Sequence, residues 1–251
     1  MKILSIIFLT LINSNSSLSN DLEIDELLNK INLPDGFKIS IYANNIENAR
    51  SMSISPSGTV FVGNRKADNV FALKDIDGDG KVDKKYLITD KLKNMPNGVS
   101  FHEGDLYVAE VNKIWLFKDV EDNLKKYDEV GFYPQEPILI SDEFPSDKHH
   151  GWKYISVGPD NKLYVPVGAP CNICESRDEI YSTITRMDLD GSNREIFARG
   201  VRNTVGFTWH PKTGEMWFTD NGRDMLGDNY PPCELNRISK PNEHYGYPYC
   251  H

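Results

Sequence analysis

The chain has 251 residues, of which 28 are Lys or Arg and 37 are Asp or Glu, so its formal net charge is −9. A net acidic chain has no basic excess to neutralise phosphates, which argues against nucleic acid as a partner. Hydrophobic residues make up 39% and charged residues 26%, a balance that supports a core and excludes disorder by composition. The length fits one large domain or two smaller ones.

The N-terminus resembles a secretory signal. A positive start precedes an almost wholly apolar stretch over residues 3–12, and polar residues follow it. The small residues at 17–19 predict cleavage after Ser19, so residues 1–19 are interpreted as a signal peptide and the mature protein as periplasmic or secreted. Such a short apolar stretch does not span the ~30 Å of a bilayer core, so we expect no stable membrane anchor.

A short helix is predicted next. Leucine and isoleucine recur at helical spacing over residues 21–32, and Pro34-Asp35-Gly36 ends the pattern. Residues 20–36 are therefore interpreted as a lead-in segment. From Phe37 the sequence changes to short strands and turns, and we assign residues 37–251 to one β domain.

A strand–turn–strand unit then recurs along the chain. Its copies lie at residues 51–73, 97–117, 153–168 (closed by 182–191) and 203–221. The tight-turn residues are spaced about 50 residues apart, a supra-period typical of a β-propeller and absent from a sandwich. They are Gly58, Gly104, Asn161 and Gly214. Propellers commonly have four to eight blades, so the four units predict a small complete propeller or part of a larger one.

Four cysteines lie in the second half of the chain: Cys171, Cys174, Cys233 and Cys250. An even number in an exported protein indicates disulfides, although the sequence does not choose among the pairings. The Cys-x-x-Cys spacing of the first two is also that of a zinc knuckle, but the compartment favours disulfides. We therefore predict no free thiol in the mature protein.

The segment DIDGDGKVD, residues 75–83, alternates carboxylates around glycine like a calcium loop. Its acidic residues stand at positions 1, 3, 5 and 9, and they are Asp75, Asp77, Asp79 and Asp83. Position 12 is Tyr86, where an EF-hand needs a bidentate glutamate, so this is not an EF-hand. The favoured interpretation is an acidic hairpin tip that binds calcium weakly or not at all.

Two other short segments carry residues suited to chemistry. His149 and His150 precede the inner strand of the third unit, and Arg202-Asn203 precede that of the fourth. The inner strand of a propeller blade begins near the central channel, where ligands bind. Histidine, arginine and asparagine there are suited to taking a proton, binding an anion and donating a hydrogen bond.

Several motifs resemble the soluble quinoprotein glucose/sorbosone dehydrogenase family, and its L-sorbosone dehydrogenase-like branch in particular. They are LPDGFKISIYA (33–43), HHGWKYISVGPDNKLYVPVGAPCNIC (149–174), GVRNTVGFTWHPKTGEMWFTDNGRD (200–224), ELN (234–236) and HYGYPYCH (244–251). The resemblance implies a six-bladed β-propeller, of which about four blades are present here. It also implies pyrroloquinoline quinone (PQQ) and Ca²⁺ as cofactors.

The resemblance implies a PQQ-dependent sugar dehydrogenase that oxidises an aldose or sorbosone-like aldehyde by hydride transfer to the quinone and passes electrons to an external acceptor. His150 is the implied general base, with His149 beside it, and Arg202 and Asn203 bind the cofactor. The backbone carbonyls of Gly222 and Arg223 are the implied calcium ligands. The alternatives are a non-catalytic sugar- or protein-binding propeller and a calcium-dependent lactonase-like hydrolase.

Two departures from the family pattern affect these expectations. The family has an aspartate that orients the base where this chain has Ala169, and Asp147, Asp160 or Asp178 are the candidate substitutes. The four units are also fewer than six blades. We therefore expect the 251-residue chain by itself to be poorly soluble or partly unfolded and to bind the quinone weakly; a four-bladed ring closed by the N-terminal strand is the alternative.

Overall fold

A computed structural model describes residue 24 and residues 26–250. The chain falls into two compact units, of which the first ends at Asn44 and the second begins at Asn45. In the first unit, residues 24 and 26–28 are helical and a turn follows at 29–30, so the helix ends before residue 32, the last residue of the predicted range. The predicted signal peptide, residues 1–19, lies outside the described residues. No helix in the described part of the chain is both long and apolar enough to cross a membrane.

The predicted β domain begins later than expected. Residues 37–44 contain no strand, and the first strand starts at Ala49. Phe37, Ile39 and Ile41 alternate with polar residues as in a strand, but they are 69%, 44% and 36% exposed. A strand forms only with a hydrogen-bonded neighbour, and residues 37–44 join none of the sheets in the described chain.

The second unit contains four sheets in a β-propeller arrangement, which confirms the predicted fold class. Blade 1 consists of β1 (Ala49–Ile54), β2 (Val60–Asn64), β3 (Val70–Lys74) and β4 (Lys84–Thr89). Blade 2 consists of β5 (Gly98–His102), β6 (Asp105–Ala109), β7 (Ile114–Phe117) and β8 (Ile138–Ser141). In both blades, consecutive strands pair antiparallel.

The other two blades are built in the same way, with one variation each. Blade 3 consists of β9 (Ser156–Val157), β10 (Leu163–Val167), β11 (Thr183–Met187) and β12 (Glu195–Arg199). Its outer strand also pairs in parallel with β16 (Glu243–His244). Blade 4 has three strands: β13 (Phe207–Trp209), β14 (Met216–Asp220) and β15 (Glu234–Ile238).

The turn that joins the first two strands of each blade has the residue type its backbone needs. Gly58, Gly104, Asn161 and Gly214 have φ angles of 86°, 95°, 60° and 71°. This left-handed region is strained for most residues and is adopted readily only by glycine and, less easily, by asparagine. The recurring turn residues used to predict the blades are therefore required by the backbone.

A helix that the sequence analysis did not predict follows blade 2's third strand. Helix α1 (Val120–Val130) has acidic residues in its first turn and ends at Gly131, whose φ is 82° and whose N–H bonds the carbonyl of Tyr127. Both features are ordinary helix-end signals. Val120 and Leu124 are buried in the core between blades 1 and 2, so the helix extends that core.

Three apolar cores stack the blades in sequence. The core between blades 1 and 2 is centred on Phe61, Leu106 and Phe117, and all three are fully buried. A second core joins blades 2 and 3, and a third, rich in edge-to-face aromatic contacts around Tyr164, joins blades 3 and 4. A blade buries both faces only against its neighbours, so these cores fix the angle between blades and bring their inner strands side by side.

Candidate active site

His150 lies in the loop before β9, at the end of blade 3 where the inner strand begins. Its side chain is buried and its backbone has a φ of 49°. Gly168, just after β10, packs directly against it: a Cβ on Gly168 would lie 2.5 Å from the Cβ of His150. The absence of a side chain at 168 is therefore what lets the histidine occupy this position.

The protonation of the His150 ring follows from its hydrogen bond. Nδ1 lies 2.9 Å from the carbonyl oxygen of Ala169. A carbonyl only accepts, so Nδ1 donates its proton and Nε2 is left unprotonated as an acceptor. Ala169, which stands where the resembled family has an orienting aspartate, thus orients the predicted base through its backbone.

None of the three aspartates considered as substitutes takes this role. Asp147 accepts a hydrogen bond from Tyr181, and Asp160 accepts from Tyr164 and Arg186. Asp178 accepts the backbone N–H of Ile180. Each carboxylate supports local structure instead.

Burial keeps the His150 imidazole neutral. Desolvation, and secondarily the positive charge of Arg202, lower the pKa of His150 to about 4. Burial disfavours the charged form of a base, and a neighbouring cation adds to that effect. The ring is therefore a proton acceptor at neutral pH. The predicted neighbour, His149, is exposed and its ring centroid lies 4.1 Å from that of His150.

Arg202 is fixed by hydrogen bonds on every edge of its guanidinium group. The side chain is 3% exposed, and Nη1 donates to the carbonyl of Asn221 at 2.9 Å. Nε and Nη2 donate to the backbone and side-chain oxygens of Asn172, each at 2.8 Å, and Nη2 also reaches Asp224 at 3.1 Å. This arginine is the most completely oriented cation of the site.

Asp220, at the end of β14, fixes the backbone of the predicted Arg-Asn pair. Its two oxygens accept the N–H groups of Arg202 and Asn203 at 2.8 and 2.7 Å. The carboxyl group is buried, and desolvation raises the pKa of Asp220 to about 6. The sequence analysis did not single out this residue, although its position at the end of a second strand is the signal that could have identified it.

Ala169 joins the two halves of the site. Its carbonyl accepts from His150, and its N–H donates to the carbonyl of Arg202 at 2.8 Å. The structure thus brings the predicted base of blade 3 beside the predicted arginine of blade 4. Asn203 is buried next to it.

The predicted metal carbonyls lie beside Arg202. Gly222 and the carboxylates of Asp220 and Glu234 line a small cavity of about 20 Å³ that Arg202 also borders. Among the described residues, no hydrogen bond engages the carbonyl of Gly222 or Arg223, and Nε of Arg223 is buried without a partner. These oxygens suit a hard cation such as Ca²⁺.

A second cavity lies at the same end of the inner strands, and its lining residues were not predicted from the sequence. It measures about 270 Å³ and is lined by Arg50, Ser51, Met52, Asn97, Trp152, Tyr154 and Val205. The guanidinium of Arg65, just after β2, lies 3.7 Å from the ring centroid of Trp152. Within the described chain, Asn97 Oδ1 and Trp152 Nε1 are buried and unpartnered.

Positive charge is concentrated on this face of an acidic protein. Arg50, Arg65 and Arg223 form no ion pair with any carboxylate that the structure describes. Arg65 stacks on Trp152 and Arg50 lines the same cavity as Trp152, which follows His150 by two residues, and Arg223 follows Gly222 in the chain. Unpaired guanidinium groups beside a neutral base suit the binding of an anion.

The acidic loop is separate from this site. It joins β3 to β4 and lies at the same end of blade 1 as Gly58, opposite to the end that carries Arg65. Oxygens of Asp75, Asp77 and Asp83 lie within 4.8 Å of one another, and Asp79 is not part of this group. The loop is therefore a hairpin tip, as predicted.

We expect this loop to bind calcium in the millimolar range or not at all, because its carboxylates are exposed and already accept backbone N–H groups of the loop. At about 10 μM CaCl₂ we therefore expect no calcium-dependent shift in melting temperature in either the parent protein or Asp75→Asn, since weak extracellular-type sites have Kd of about 10⁻⁴–10⁻³ M and stay nearly empty at that concentration. Differential scanning fluorimetry checks this. A calcium-dependent stabilisation that the substitution abolishes would show a structural ion here.

The cysteines correct the prediction that every thiol is paired. Cys171 and Cys174 form a disulfide, which supports the disulfide interpretation over a zinc knuckle. Cys233 and Cys250 are exposed free thiols, because the loop before β15 and the C-terminal turn do not bring their sulfur atoms to bonding distance.

We expect Gly168→Ala to displace His150. The added methyl group would overlap the histidine Cβ and backbone oxygen, and overpacking of this kind costs roughly 1–3 kcal/mol of stability. The measurement is the melting temperature together with the NMR shift of the His150 ring. Gly206→Ala is the matched control, because nothing lies within 4 Å of a Cβ at that position. Unchanged His150 resonances in Gly168→Ala would contradict the close packing.

Solved structures of similar fold include sugar dehydrogenases. The PQQ domain of pyranose dehydrogenase from Coprinopsis cinerea matches 86% of this chain at 17% identity with a TM-score of 0.70, over 58% of its own chain. The calcium structure of the Trichoderma reesei family AA12 enzyme matches 86% at 18% identity with a TM-score of 0.71, over 59% of its chain. At these identities the likeness establishes the propeller fold.

Another similar structure is the PQQ-bound form of aldose sugar dehydrogenase from Streptomyces coelicolor. It matches 85% of this chain at 20% identity with a TM-score of 0.64, over 66% of its own chain. These neighbours agree with the predicted propeller type.

Sequence comparison gives the family. An uncharacterized protein of Borreliella burgdorferi is 33% identical over 231 residues, which are 90% of this chain and 58% of that protein. The chain thus spans well under two thirds of the length of this relative. Residues 23–246 match the family model described as Domain of unknown function (DUF7133). Because that match covers most of the chain, the protein belongs to the DUF7133 family.

Proposed function

We propose that this chain is the cofactor-binding part of a PQQ-dependent sugar dehydrogenase. The observation that carries the proposal is the buried, neutral His150, whose Nε2 is left as a proton acceptor beside the guanidinium of Arg202. An oriented neutral base next to a buried arginine suits oxidation of a hydroxyl group with an anionic cofactor. The likeness in fold to a PQQ-bound aldose sugar dehydrogenase supports the same conclusion.

The residues present fit the charge of this cofactor. PQQ carries three carboxylates, and Arg202 alone does not balance them. Arg50, Arg65 and Arg223 supply further positive charge, and none of them is engaged by a carboxylate within the described chain. The buried unpartnered atoms of Asn97 and Trp152 supply unused hydrogen-bonding capacity in the cavity that Arg50 also lines. Arg202 and Asn203 are the proposed principal contacts.

Each residue of the site has a separate proposed role. His150 takes the proton of the substrate hydroxyl at Nε2, and the Ala169 carbonyl keeps its ring oriented. When bound, PQQ supplies a two-electron acceptor, and Ca²⁺ supplies a Lewis acid. The carbonyls of Gly222 and Arg223 are proposed to hold the calcium ion, with the nearby carboxylates of Asp220 and Glu234 adding negative charge.

The substrate is proposed to be a small aldose or a sorbosone-like aldehyde, and the electrons leave to an external acceptor. Export through the predicted signal peptide would place the protein in the periplasm or outside the cell. We also propose that the protein belongs to the sorbosone dehydrogenase-like branch and that it acts by the mechanism given above.

The test uses the longest natural form of the protein. After addition of PQQ and CaCl₂, we expect reduction of an artificial dye with aldoses as donors, and no activity when either cofactor is omitted. Hydrolysis of sugar lactones with calcium alone would favour the lactonase-like alternative. Sugar binding without dye reduction in the presence of both cofactors would favour a non-catalytic binding propeller.

A further inference from the structure

The loop between the two bonded cysteines holds the guanidinium of Arg202. Asn172 lies in this loop and accepts two hydrogen bonds from Arg202, one at its backbone oxygen and one at Oδ1. Oδ1 also accepts the N–H of Asp224 at 2.8 Å, and the Asn172 amide donates to the carbonyl of Asp224 at 3.2 Å. Asn172 thus contacts both Arg202 and Asp224, the carboxylate that pairs with Arg202.

Two features fix the loop itself. The Cys171–Cys174 disulfide closes it, with the two Cα atoms 6.2 Å apart. The hydroxyl group of Tyr247 accepts the N–H of Cys174 at 3.0 Å and lies 3.7 Å from the sulfur of Cys171. Tyr247 is itself buried. The loop is therefore anchored at both ends, and Asn172 lies between the anchors.

Asn172 orients the arginine without adding a charge beside it. Its backbone oxygen and Oδ1 face Nε and Nη2 of Arg202 as the two oxygens of a carboxylate would, but they carry no net charge. Asp224 already places one carboxylate oxygen 3.1 Å from Nη2. A second carboxylate at position 172 would add a further negative charge and weaken the attraction of Arg202 for an anion.

We propose that Asn172 is a positioning residue for Arg202, and that the Cys171–Cys174 disulfide holds Asn172 in place, so that reduction of this disulfide loosens Arg202. The extension of this idea to cofactor affinity rests on the proposed function. Reduction by a dithiol transfers two electrons: the disulfide becomes two thiols, and the dithiol becomes a cyclic disulfide.

The first measurement needs no cofactor. The Nε–H group of Arg202 is buried and hydrogen-bonded, so its ¹H–¹⁵N NMR signal should exchange slowly with water; loss of one signal in Arg202→Lys assigns it. In Asn172→Ala the backbone oxygen that accepts Nε–H remains, but Oδ1, which holds both Nη2 and the N–H of Asp224, is lost. We therefore expect exchange to accelerate at least about tenfold in Asn172→Ala, in Cys171→Ala/Cys174→Ala, and in the parent protein treated with dithiothreitol, because a tenfold change in the opening equilibrium is only about 1.4 kcal/mol. Asn172→Asp should keep exchange slow.

Cys233→Ser is the control, because it removes an exposed thiol that takes no part in the loop. It should behave like the parent protein with and without dithiothreitol. Far-UV circular dichroism checks that each variant is folded, and if the double cysteine variant unfolds, Asn172→Ala and the reduced parent protein decide the matter. Slow exchange of the Arg202 signal in both of these would overturn the proposal.

A PQQ titration separates this proposal from the proposed function. If both are right, Asn172→Ala and Asn172→Asp both weaken PQQ binding at least about tenfold, the first by releasing the arginine and the second by adding a negative charge beside it. If PQQ binds none of the proteins but the exchange results hold, Asn172 still positions Arg202 and the proposed function fails. If PQQ binds all of them equally and exchange stays slow, the positioning role fails alone.

Discussion

His150→Ala should lower turnover by roughly 10²–10⁴ in the PQQ- and calcium-loaded protein, while PQQ affinity stays within a few-fold of the parent value. The substitution removes the only atom that we assign to proton removal, Nε2 of the ring, and leaves the guanidinium groups in place. Steady-state dye reduction gives the turnover, and a fluorescence titration gives the affinity.

His149→Ala is the matched control for this prediction. The side chain of His149 is exposed and touches His150 only through ring contact, so we expect turnover to fall by no more than a few-fold. The opposite result, with His149→Ala nearly inactive and His150→Ala active, would move the base to the neighbouring residue and contradict the assignment from the Ala169 hydrogen bond.

Lys153→Met should stabilise the protein at pH 7. Lys153 is 2% exposed, and its amine has two long contacts, 3.5 Å to the carbonyls of Gly151 and Pro166, and lies 5.2 Å from the ring centroid of Phe144. No carboxylate of the described chain pairs with it, and burial lowers the pKa of Lys153 to about 7. Methionine fills similar space without a charge to desolvate, so we expect a gain of roughly 2–5 kcal/mol in the free energy of unfolding.

The pH dependence of this gain has a definite sign. Between about pH 7 and the ordinary lysine value of 10.5, the unfolded state binds a proton at Lys153 that the folded state releases. The stability of the parent protein therefore rises through this window relative to Lys153→Met. The advantage of the variant should be largest near pH 7 and shrink toward pH 10.

Urea unfolding of both proteins at pH 7 and pH 9.5 measures the effect. Lys162→Met is a control for loss of a lysine, because that side chain is partly exposed and pairs with Asp188. A Lys153→Met protein less stable than the parent at pH 7 would show that the amine has a compensating partner, and so would a difference between them that does not change with pH.

The blades were predictable because their signals are local. The left-handed turn residues, such as Gly104 and Gly214, recur about every 50 residues, and the strands that follow them are rich in Val, Tyr, Phe or Trp. His150 and Arg202 were predictable for a related reason, since each lies just before an inner strand whose position the repeats define. Helix α1 was missed although its acidic first turn and its Gly131 end are visible in the sequence.

The partner that orients His150 was not predictable. A backbone carbonyl has no sequence signature. The alanine at 169 therefore suggested that no group orients the histidine, whereas the main-chain carbonyl of Ala169 accepts its Nδ1–H. Asn172 is a similar case, because two of its hydrogen bonds cross from one blade to the next. Contacts of this kind depend on the angle between blades, which is set by the apolar cores and not by any local motif.

The positive face of the site was also hidden in the sequence. A net charge of −9 predicts an acidic surface on average, but it does not show which arginines lie close to the site. Arg50 and Arg65 lie in blade 1 and precede Trp152 by 102 and 87 residues, and only ring geometry brings them to it. Comparing the residues after the second strand of each repeat is the one sequence signal that could have identified Arg65.

Direct binding of PQQ tests the central claim most closely. The longest natural form of the protein, in about 1 mM CaCl₂, is titrated with PQQ by isothermal calorimetry, with Arg65→Gln and Arg202→Gln as variants. We expect one PQQ site with a Kd of about 1 μM or tighter. Each substitution should weaken PQQ affinity at least about tenfold, which corresponds to about 1.4 kcal/mol of binding free energy. A folded protein that shows no heat of binding with PQQ at about 100 μM, or equal affinity in both arginine variants, would contradict it.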